Sequence, residues 1–525
     1  MGTYINLGNE GFKSILNSEY VDKSELIRVI NSNLNSESRY SCVTRCRRFG
    51  KSMAAKMLCA YYDKSCDSRE LFANLEIAKD PSFEQHLNKY PVIFLDMTSF
   101  TTRDLKKEEI IPTIQREVKE ELLSVYPNIV DHPKDDLMAT LIKIQQSYHE
   151  KFIMIIDEWD AICREFLRDE ASMTKYTNLL RRLFKGLLSD MVFAGVYMTG
   201  ILPIKKYDTQ SALNNFRQYT IIQPFGIARY FGFTKEEVRK LCEKHGMDFD
   251  EMVKWYDGYQ IGNEPSMFNP NSVMEALAAG ECDSFWATTG SFDMVSDYIK
   301  MNYQGLKDDI IKLIAGGRAK VNASKFSNDM AEVKSRDDVL TVLIHLGYLA
   351  YDKKKSEVYI PNKEVEMEMT NAVENTDWNN IIDMIHNSEQ LVEATLMCDT
   401  NAVVQAIDKA HDEHTSILSY NDENSLSCVI SLAYYYAKND YIFFRELPTG
   451  KGFADIVMLP RKNVNLPALV VELKYDKDSD TAINQIHRKE YPSKVAEYTG
   501  NLLLVGINYD RTTKTHTCQI EHWQK

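Results

Sequence analysis

The stretch Tyr40-Ser-Cys-Val-Thr44, Arg45-Cys-Arg-Arg-Phe-Gly-Lys-Ser52, Met53-Ala-Ala-Lys-Met-Leu-Cys-Ala-Tyr-Tyr62 reads as a short strand, a tight turn and an apolar helix. Gly50-Lys51-Ser52 at the mouth of that helix aims backbone N–H groups and the positive end of the helix dipole at an anion. Lys51 adds a point charge and the Ser52 hydroxyl suits Mg²⁺, so the candidate phosphate cradle is Arg48, Phe49, Gly50, Lys51, Ser52 and Met53. The full glycine-rich pattern has another glycine at the position held here by Arg45. Taken alone, the tripeptide is explained equally well by an ordinary capped helix with Ser52 in its first turn.

Outward from this loop, apolar runs and helical patterns alternate. Pro91-Val-Ile-Phe-Leu-Asp96 is a short run ended by a carboxylate, followed by a polar helical stretch from about Lys106 to Glu150 that breaks near Pro127 and Pro133. Lys151-Phe-Ile-Met-Ile-Ile-Asp-Glu-Trp-Asp160 reads as a central strand buried on both faces, with acids at its carboxyl end. Strand ends share one edge of a parallel sheet, so Asp157 can lie beside Ser52 and hold Mg²⁺, and Glu158 can orient an attacking water as general base. The competing explanation is two acids favoured by the dipole of the next helix. Met191-Val-Phe-Ala-Gly-Val-Tyr-Met-Thr-Gly200 ends in Thr199, which either senses a γ-phosphate or begins a turn. Tyr219-Thr-Ile-Ile-Gln-Pro-Phe225 reads as one more strand. The alternation predicts an α/β fold whose parallel sheet has helices on both faces.

From Phe231 the pattern turns helical. Thr234 and Glu237 form a capping box, and a strand pair is expected over Tyr351–Ile360 after a helix at Val339–Leu349. This part shows no catalytic constellation and reads as a lid or linker. A helix over Leu426–Ala437 then leads into three strands, Tyr441–Leu447, Gly452–Leu459 and Pro467–Lys474. Side chains two apart share a strand face, so Glu472 and Lys474 point together and Asp455 on the neighbouring strand can meet them. Two converging carboxylates need a cation such as Mg²⁺ or Mn²⁺, and a lysine beside it can position water and stabilise a pentavalent phosphate. Glu-x-Lys on a strand face is also commonly a solvated pair. Arg445, Lys451, Arg461, Lys462, Lys477, His487, Arg488 and Lys489 are nearby cations for phosphate contact, though solvated surface explains most of them.

With 525 residues the chain is too long for one core. A formal charge of −14 argues against a basic coat for non-specific nucleic-acid binding. No apolar run reaches membrane-spanning length and Met1–Glu10 lacks a signal-peptide layout, so the expectation is a cytoplasmic protein with no membrane partner. Ten cysteines without zinc-ligand spacing read as buried thiols in a reducing compartment.

Tyr20-Val-Asp-Lys-Ser24, Thr44-Arg-Cys-Arg-Arg-Phe-Gly-Lys-Ser52, Ile156-Asp-Glu-Trp-Asp160, Met198-Thr-Gly200, Asn214-Asn215, Trp255-Tyr-Asp-Gly-Tyr259 and Asn269-Pro270 occur in this order. The series resembles the bacterial AAA-ATPase-like proteins that carry a C-terminal PD-(D/E)XK nuclease domain. Arg45 in place of glycine looks like a trait of that family, whereas Cys46 stands where proline is expected and Trp159 where tyrosine is usual. Gly-Phe-Ala-Asp455 and Glu472-Leu-Lys474 resemble the nuclease signature, Glu423 resembles the acid of its leading helix, and Gln485 and Tyr491 resemble its Gln-Ile…Tyr element. The resemblance implies ATP and Mg²⁺ (or Mn²⁺ at the nuclease site) as cofactors, and DNA rather than RNA as partner. It leaves a homo-oligomer open. It also implies an AAA-like P-loop domain at 1–230, a mainly helical lid or linker at 231–375 and a restriction-endonuclease-like α/β domain at 376–525. The expected activity is ATP hydrolysis coupled to a metal-dependent phosphodiesterase. The alternative is a nucleotide-operated binding switch with an inactive nuclease fold.

Overall fold

Apolar, β-branched runs too short for helices form the centre of the N-terminal part, and in the computed structural model of the chain they pair side by side. Described are residues 2–165, 169–204, 213–286, 292–301, 303–314, 316–324, 326, 333–374, 379–412, 423–438, 440–448, 453–460, 466–477, 479–488 and 501–523. The chain divides into two compact units, Met1–Ser291 with Lys320–Met367, and Phe292–Ala319 with Glu368–Lys525. Among the described residues no helix is long and apolar enough to cross a membrane.

The first unit holds a five-stranded sheet of β1 (Tyr40–Thr44), β2 (Val92–Asp96), β3 (Phe152–Asp157), β4 (Phe193–Gly200) and β5 (Arg217–Tyr219), in the order β2-β3-β4-β1-β5. Every pairing in it is parallel, so all the carboxyl ends lie on one edge. The two faces of the sheet feed two cores, with β4 changing phase at the register shift opposite Phe152 and Ile153. Met154, Ile156, Val196 and Met198 face α2 (Lys107–Val125) and α3 (Leu137–Tyr148), while Ile153, Ile155, Ala194 and Tyr197 face α1 (Lys51–Tyr62). The strand expected over Tyr219–Phe225 does not form: β5 lies before it, at Arg217–Tyr219, and shares only Tyr219 with that stretch. β5 ends at Tyr219, because Thr220 and Gln223 close a turn in which Gln223 N–H donates to Thr220 Oγ1 and Pro224 has no N–H to give a neighbour.

Between β3 and β4 lie α4 (Ala161–Glu165) and α5 (Glu170–Phe184), and after the sheet comes the helical stretch that includes α6 (Lys235–His245) and α7 (Arg336–Leu346). The capping box at Thr234 forms as read, with Glu237 N–H donating to Thr234 Oγ1 and Thr234 N–H to Glu237 Oε2. Ala350–Asp352 and Glu357–Tyr359 form the expected antiparallel pair.

In the second unit, α8 (Glu423–Ala433) precedes a sheet of β6 (Tyr441–Pro448), β7 (Phe453–Pro460), β8 (Ala468–Tyr475), β9 (Leu502–Asp510) and β10 (Thr515–Trp523), paired in chain order. Only β8 and β9 run parallel, and α9 (Ser479–Arg488) is the crossover between them. The alternation predicted for the first three strands holds, and α8 and α9 pack on opposite faces of this sheet. The chain is therefore α/β throughout: a parallel sheet with helices on both faces, a helical middle and a C-terminal sheet domain.

Candidate functional site

Two polar centres stand out, one in each unit. The first forms where β1, β3 and β4 end. Gly50 caps α1 at φ +85°, and Arg48 is also left-handed at φ +65°, so the loop curls where an ordinary strand-to-helix turn would not. Lys51 is buried, but its Nζ points at polar atoms: 3.0 Å from Cys46 O and 3.5 Å from Glu158 Oε1.

The Thr199 hydroxyl donates to Asp157 Oδ1, and the Ser52 hydroxyl lies beside the same carboxylate. Burial raises the Asp157 carboxyl above the ordinary aspartate value and those two hydroxyls oppose the rise. Thr199 is held from both sides, since it donates to Asp157 and accepts from Glu158 N–H at 3.1 Å. Glu158 sits at φ +51°, a conformation that costs a side-chain-bearing residue energy, and its carboxylate meets Arg164 Nη2 at 2.5 Å. Burial would raise its carboxyl, but Lys51, Arg164 and Arg47 outweigh burial and hold it below the ordinary glutamate value.

The loop residues divide by exposure. Met53 is exposed on the first turn of α1, whereas Phe49 is fully buried and meets the Tyr259 ring edge-on at 5.2 Å. Arg48 Nη1 donates to Phe285 O at 3.4 Å. Tyr259 OH donates to Gly347 O at 2.8 Å, and Gly347, at φ +93°, lies so near the loop that a Cβ would stand 2.8 Å from Cys46 Cβ. Arg45, in the place of the missing glycine, turns away from the cradle. Its guanidinium is buried over the Phe231 ring and donates from Nη1 to Thr44 O and Tyr219 O, tying the tips of β1 and β5; burial lowers its pKa to about 10. Sequence reading missed Asp160 and Arg164. Asp160 is fully buried and accepts the N–H groups of Ile201 and Leu202. Its signal was its place as the third acid of the Ile156-Asp-Glu-Trp-Asp160 motif, which the sequence reading quoted without giving Asp160 a role.

The second centre lies on the α9 face of the C-terminal sheet. Val457 and Leu459 on β7 and Val470 on β8 enter the core with Ile483 and Ile486 of α9, so Asp455, Glu472 and Lys474, in phase with them, belong to that face. Antiparallel register pairs Ile456 with Val471, which brings Asp455 beside Glu472, and Asp455 Oδ2 accepts Leu473 N–H at 2.7 Å. Lys474 Nζ donates to Glu472 Oε1 and to Leu473 O, each at 2.9 Å. Gln485 Nε2 donates to the same Glu472 oxygen. Gly506 pairs with Glu472 across β8 and β9 and permits this, because a Cβ there would lie 2.7 Å from Ser479 O and 3.0 Å from Ala482 Cβ. Glu423 heads α8 on the other face of the sheet, and Tyr491 lies outside the described residues.

Hard oxygen donors are present at both centres, Ser52 and Asp157 at one, Asp455 and Glu472 at the other. Among the described residues no three or more His, Cys, Asp or Glu side chains gather as a metal cage. An ion at either place would take one or two carboxylates and complete its shell with water and phosphate oxygens, as Mg²⁺ does. The donor sets therefore fit it.

Comparison with known proteins finds one family model over each of the two centres. A curated relative, an uncharacterized protein in the vnfD 5′ region of Azotobacter chroococcum mcd 1, is 22% identical over 284 residues, 53% of this chain and 52% of that protein. The chain thus spans about half the length of the curated relative it matches. Among solved structures, the ORC2 protein of Aeropyrum pernix in its ADPNP–ADP complexes is similar over 70% of this chain and 99% of its own, at 11% identity and a TM-score of 0.27. A DNA replication initiation factor is similar over 80% of this chain and 96% of its own, at 10% identity and a TM-score of 0.26. The family model described as AAA-ATPase_like, predicted AAA-ATPase, matches residues 6–210, and the PD-(D/E)XK nuclease superfamily model matches residues 422–523. The chain carries a domain of the AAA-ATPase-like family followed by a domain of the PD-(D/E)XK nuclease superfamily.

Proposed function

We propose that this protein binds and hydrolyses ATP at the loop around Lys51 and cleaves DNA at the centre around Lys474, acting in the cytoplasm. The observation that carries the reading is that Asp455, Glu472 and Lys474 meet on one sheet face in a chain that also sets Lys51 beside Ser52, Asp157 and Glu158. In this reading the N–H groups of Arg48 to Met53 and the Lys51 ammonium bind the phosphates, and Glu158 takes a proton from the attacking water. Phe49 contributes only its backbone, because its ring is buried. Thr199 orients Asp157 before it reaches any phosphate, since its hydroxyl is already engaged there. Mg²⁺ held by Ser52 and Asp157 would offset phosphate charge, and Mg²⁺ or Mn²⁺ held by Asp455 and Glu472 would polarise a phosphodiester.

At the second centre Lys474 stabilises the phosphate charge that grows during cleavage, and Gln485 keeps Glu472 in place. Glu423 heads a helix on the opposite face of the sheet and is given no role in this centre. The nuclease domain is 376–525, and the segment 231–375 serves as a lid over the nucleotide domain at 1–230. Its contacts with the phosphate loop through Tyr259 and Gly347 support that role.

The test is incubation of the full chain with plasmid, linear and single-stranded DNA and with RNA, under Mg²⁺ or Mn²⁺, with and without ATP. Cut DNA whose yield changes with ATP supports the reading. Retained binding with no cut product in any condition overturns cleavage in favour of a nucleotide-operated binding switch.

A further inference from the structure

Arg164 belongs to none of the motifs around the phosphate loop, yet it touches two of the acids that close β3. Its Nη2 lies 2.5 Å from Glu158 Oε2 and its Nε lies 3.4 Å from Asp160 Oδ2. Asp160 is itself fixed, 3.1 Å from Ile201 N and 2.9 Å from Leu202 N. A Cβ on Gly200 would come within 2.6 Å of its Oδ1, so the tip of β4 fits closely around it. Arg164 therefore sits at ion-pair distance from Asp160 with one end of its fork and hydrogen-bonds Glu158 with the other. Across the site, Glu158 Oε1 is 3.5 Å from Lys51 Nζ. One carboxylate is thus shared by cations from two elements, with Arg47 a third positive neighbour and Asp157 and Asp160 the nearby acids.

A phosphate arriving in the loop needs the ammonium that Glu158 already attracts. We propose that Arg164 is a positioning residue that draws Glu158 off Lys51, so that nucleotide phosphate and not the protein's own carboxylate takes the lysine. This rests on the reading of the loop as a nucleotide site. Without the guanidinium, Lys51 becomes the nearest strong partner of Glu158, and the closed pair competes with phosphate. Arginine suits the task because a planar fork can meet two carboxylates at once, which an ammonium does less well.

The test is titration of the full chain with a fluorescent, non-hydrolysable ATP analogue and Mg²⁺, comparing wild type with Arg164→Gln, Arg164→Lys, Glu158→Gln and the double variant Arg164→Gln/Glu158→Gln. Arg164→Gln should weaken binding about tenfold, in the range of coupling seen between close charge pairs. Glu158→Gln should bind at least as tightly as wild type, and the double variant should return to the Glu158→Gln value, because no carboxylate is left to close on Lys51. Arg164→Lys should fall between wild type and Arg164→Gln. A double variant as weak as Arg164→Gln, or an Arg164→Gln variant that binds like wild type, overturns the proposal. If Arg164→Gln does not fold, Arg164→Lys decides, with and without Glu158→Gln: a several-fold loss that Glu158→Gln restores is expected, and no loss, or a loss that persists, overturns it. Wild type that takes up no analogue overturns the nucleotide reading itself.

Discussion

Each unit sets a lysine against a glutamate, but the two pairs are built differently. In the first, Lys51 stands at the head of a helix and Glu158 on a left-handed residue after a strand, 3.5 Å apart, with Arg164 pulling from the far side. In the second, Glu472 and Lys474 belong to one strand, 2.9 Å apart, and Gln485 from a crossover helix closes on the same oxygen. The first pair joins separate segments that can move apart when an anion arrives. The second is set by the pleat of a single strand and can change only through side-chain rotation. The contrast suggests a centre that responds and a centre that is preformed.

The largest effect expected is at the preformed centre. Lys474→Ala removes the only cation bonded to Glu472 among the described contacts, and DNA cleavage should fall by at least ~10² while ATP hydrolysis stays within a factor of two or so. A product-gel assay beside a phosphate-release assay checks both, and cleavage at the wild-type rate would remove Lys474 from the chemistry. Lys51→Ala should lower ATP hydrolysis by about 10² or more and leave the ATP-independent part of cleavage intact. If all cleavage vanished with it, the second centre would not be preformed.

Gln485→Ala tests whether the strand alone suffices. Removing a hydrogen bond to a charged group is worth about 1.5–3 kcal/mol, so cleavage should drop by roughly one to two orders of magnitude without loss of fold. A rate unchanged from wild type would show that the strand pleat alone orients Glu472. The smallest effects come from two glycines. Gly347→Ala adds a Cβ 2.8 Å from Cys46 on left-handed backbone, and Gly506→Ala adds one 2.7 Å from Ser479 O on extended strand. Overpacking costs about 1–3 kcal/mol in each, and only Gly347→Ala adds backbone strain. Calorimetry should therefore show the larger loss for Gly347→Ala, which should also weaken nucleotide binding, whereas Gly506→Ala should slow cleavage by shifting α9.

The same contrast explains what could be read from the chain. Asp455, Glu472 and Lys474 were legible because strand alternation is strictly local, and their shared face follows from counting by two. β9 and β10 escaped notice, although Leu502-Leu-Leu-Val505 is an apolar run, because nothing chemical drew the eye to it. The order of the first sheet could be anticipated only in kind, since parallel pairing depends on crossovers far apart in sequence. Asp160 had no visible role for the same reason, since its partners are at the tip of β4, about forty residues on, whereas Arg164 is near Glu158 in sequence and was hidden by the left-handed backbone of Glu158, which no local pattern announces. Arg45 read as a flaw in the phosphate loop, and only its contacts with Thr44 O and Tyr219 O explain why an arginine fits there.

Glu158 holds a backbone shape that suits glycine better than any other residue. Glu158→Gly would relieve a distortion of roughly 1–2 kcal/mol but would take from Lys51 and Arg164 the carboxylate they share, and losing one partner of a buried ion pair costs about 3–5 kcal/mol, so the variant should be the less stable protein. The bend persists because it delivers one carboxylate to cations from two different elements, and the ion pairs it makes outweigh the shape it imposes.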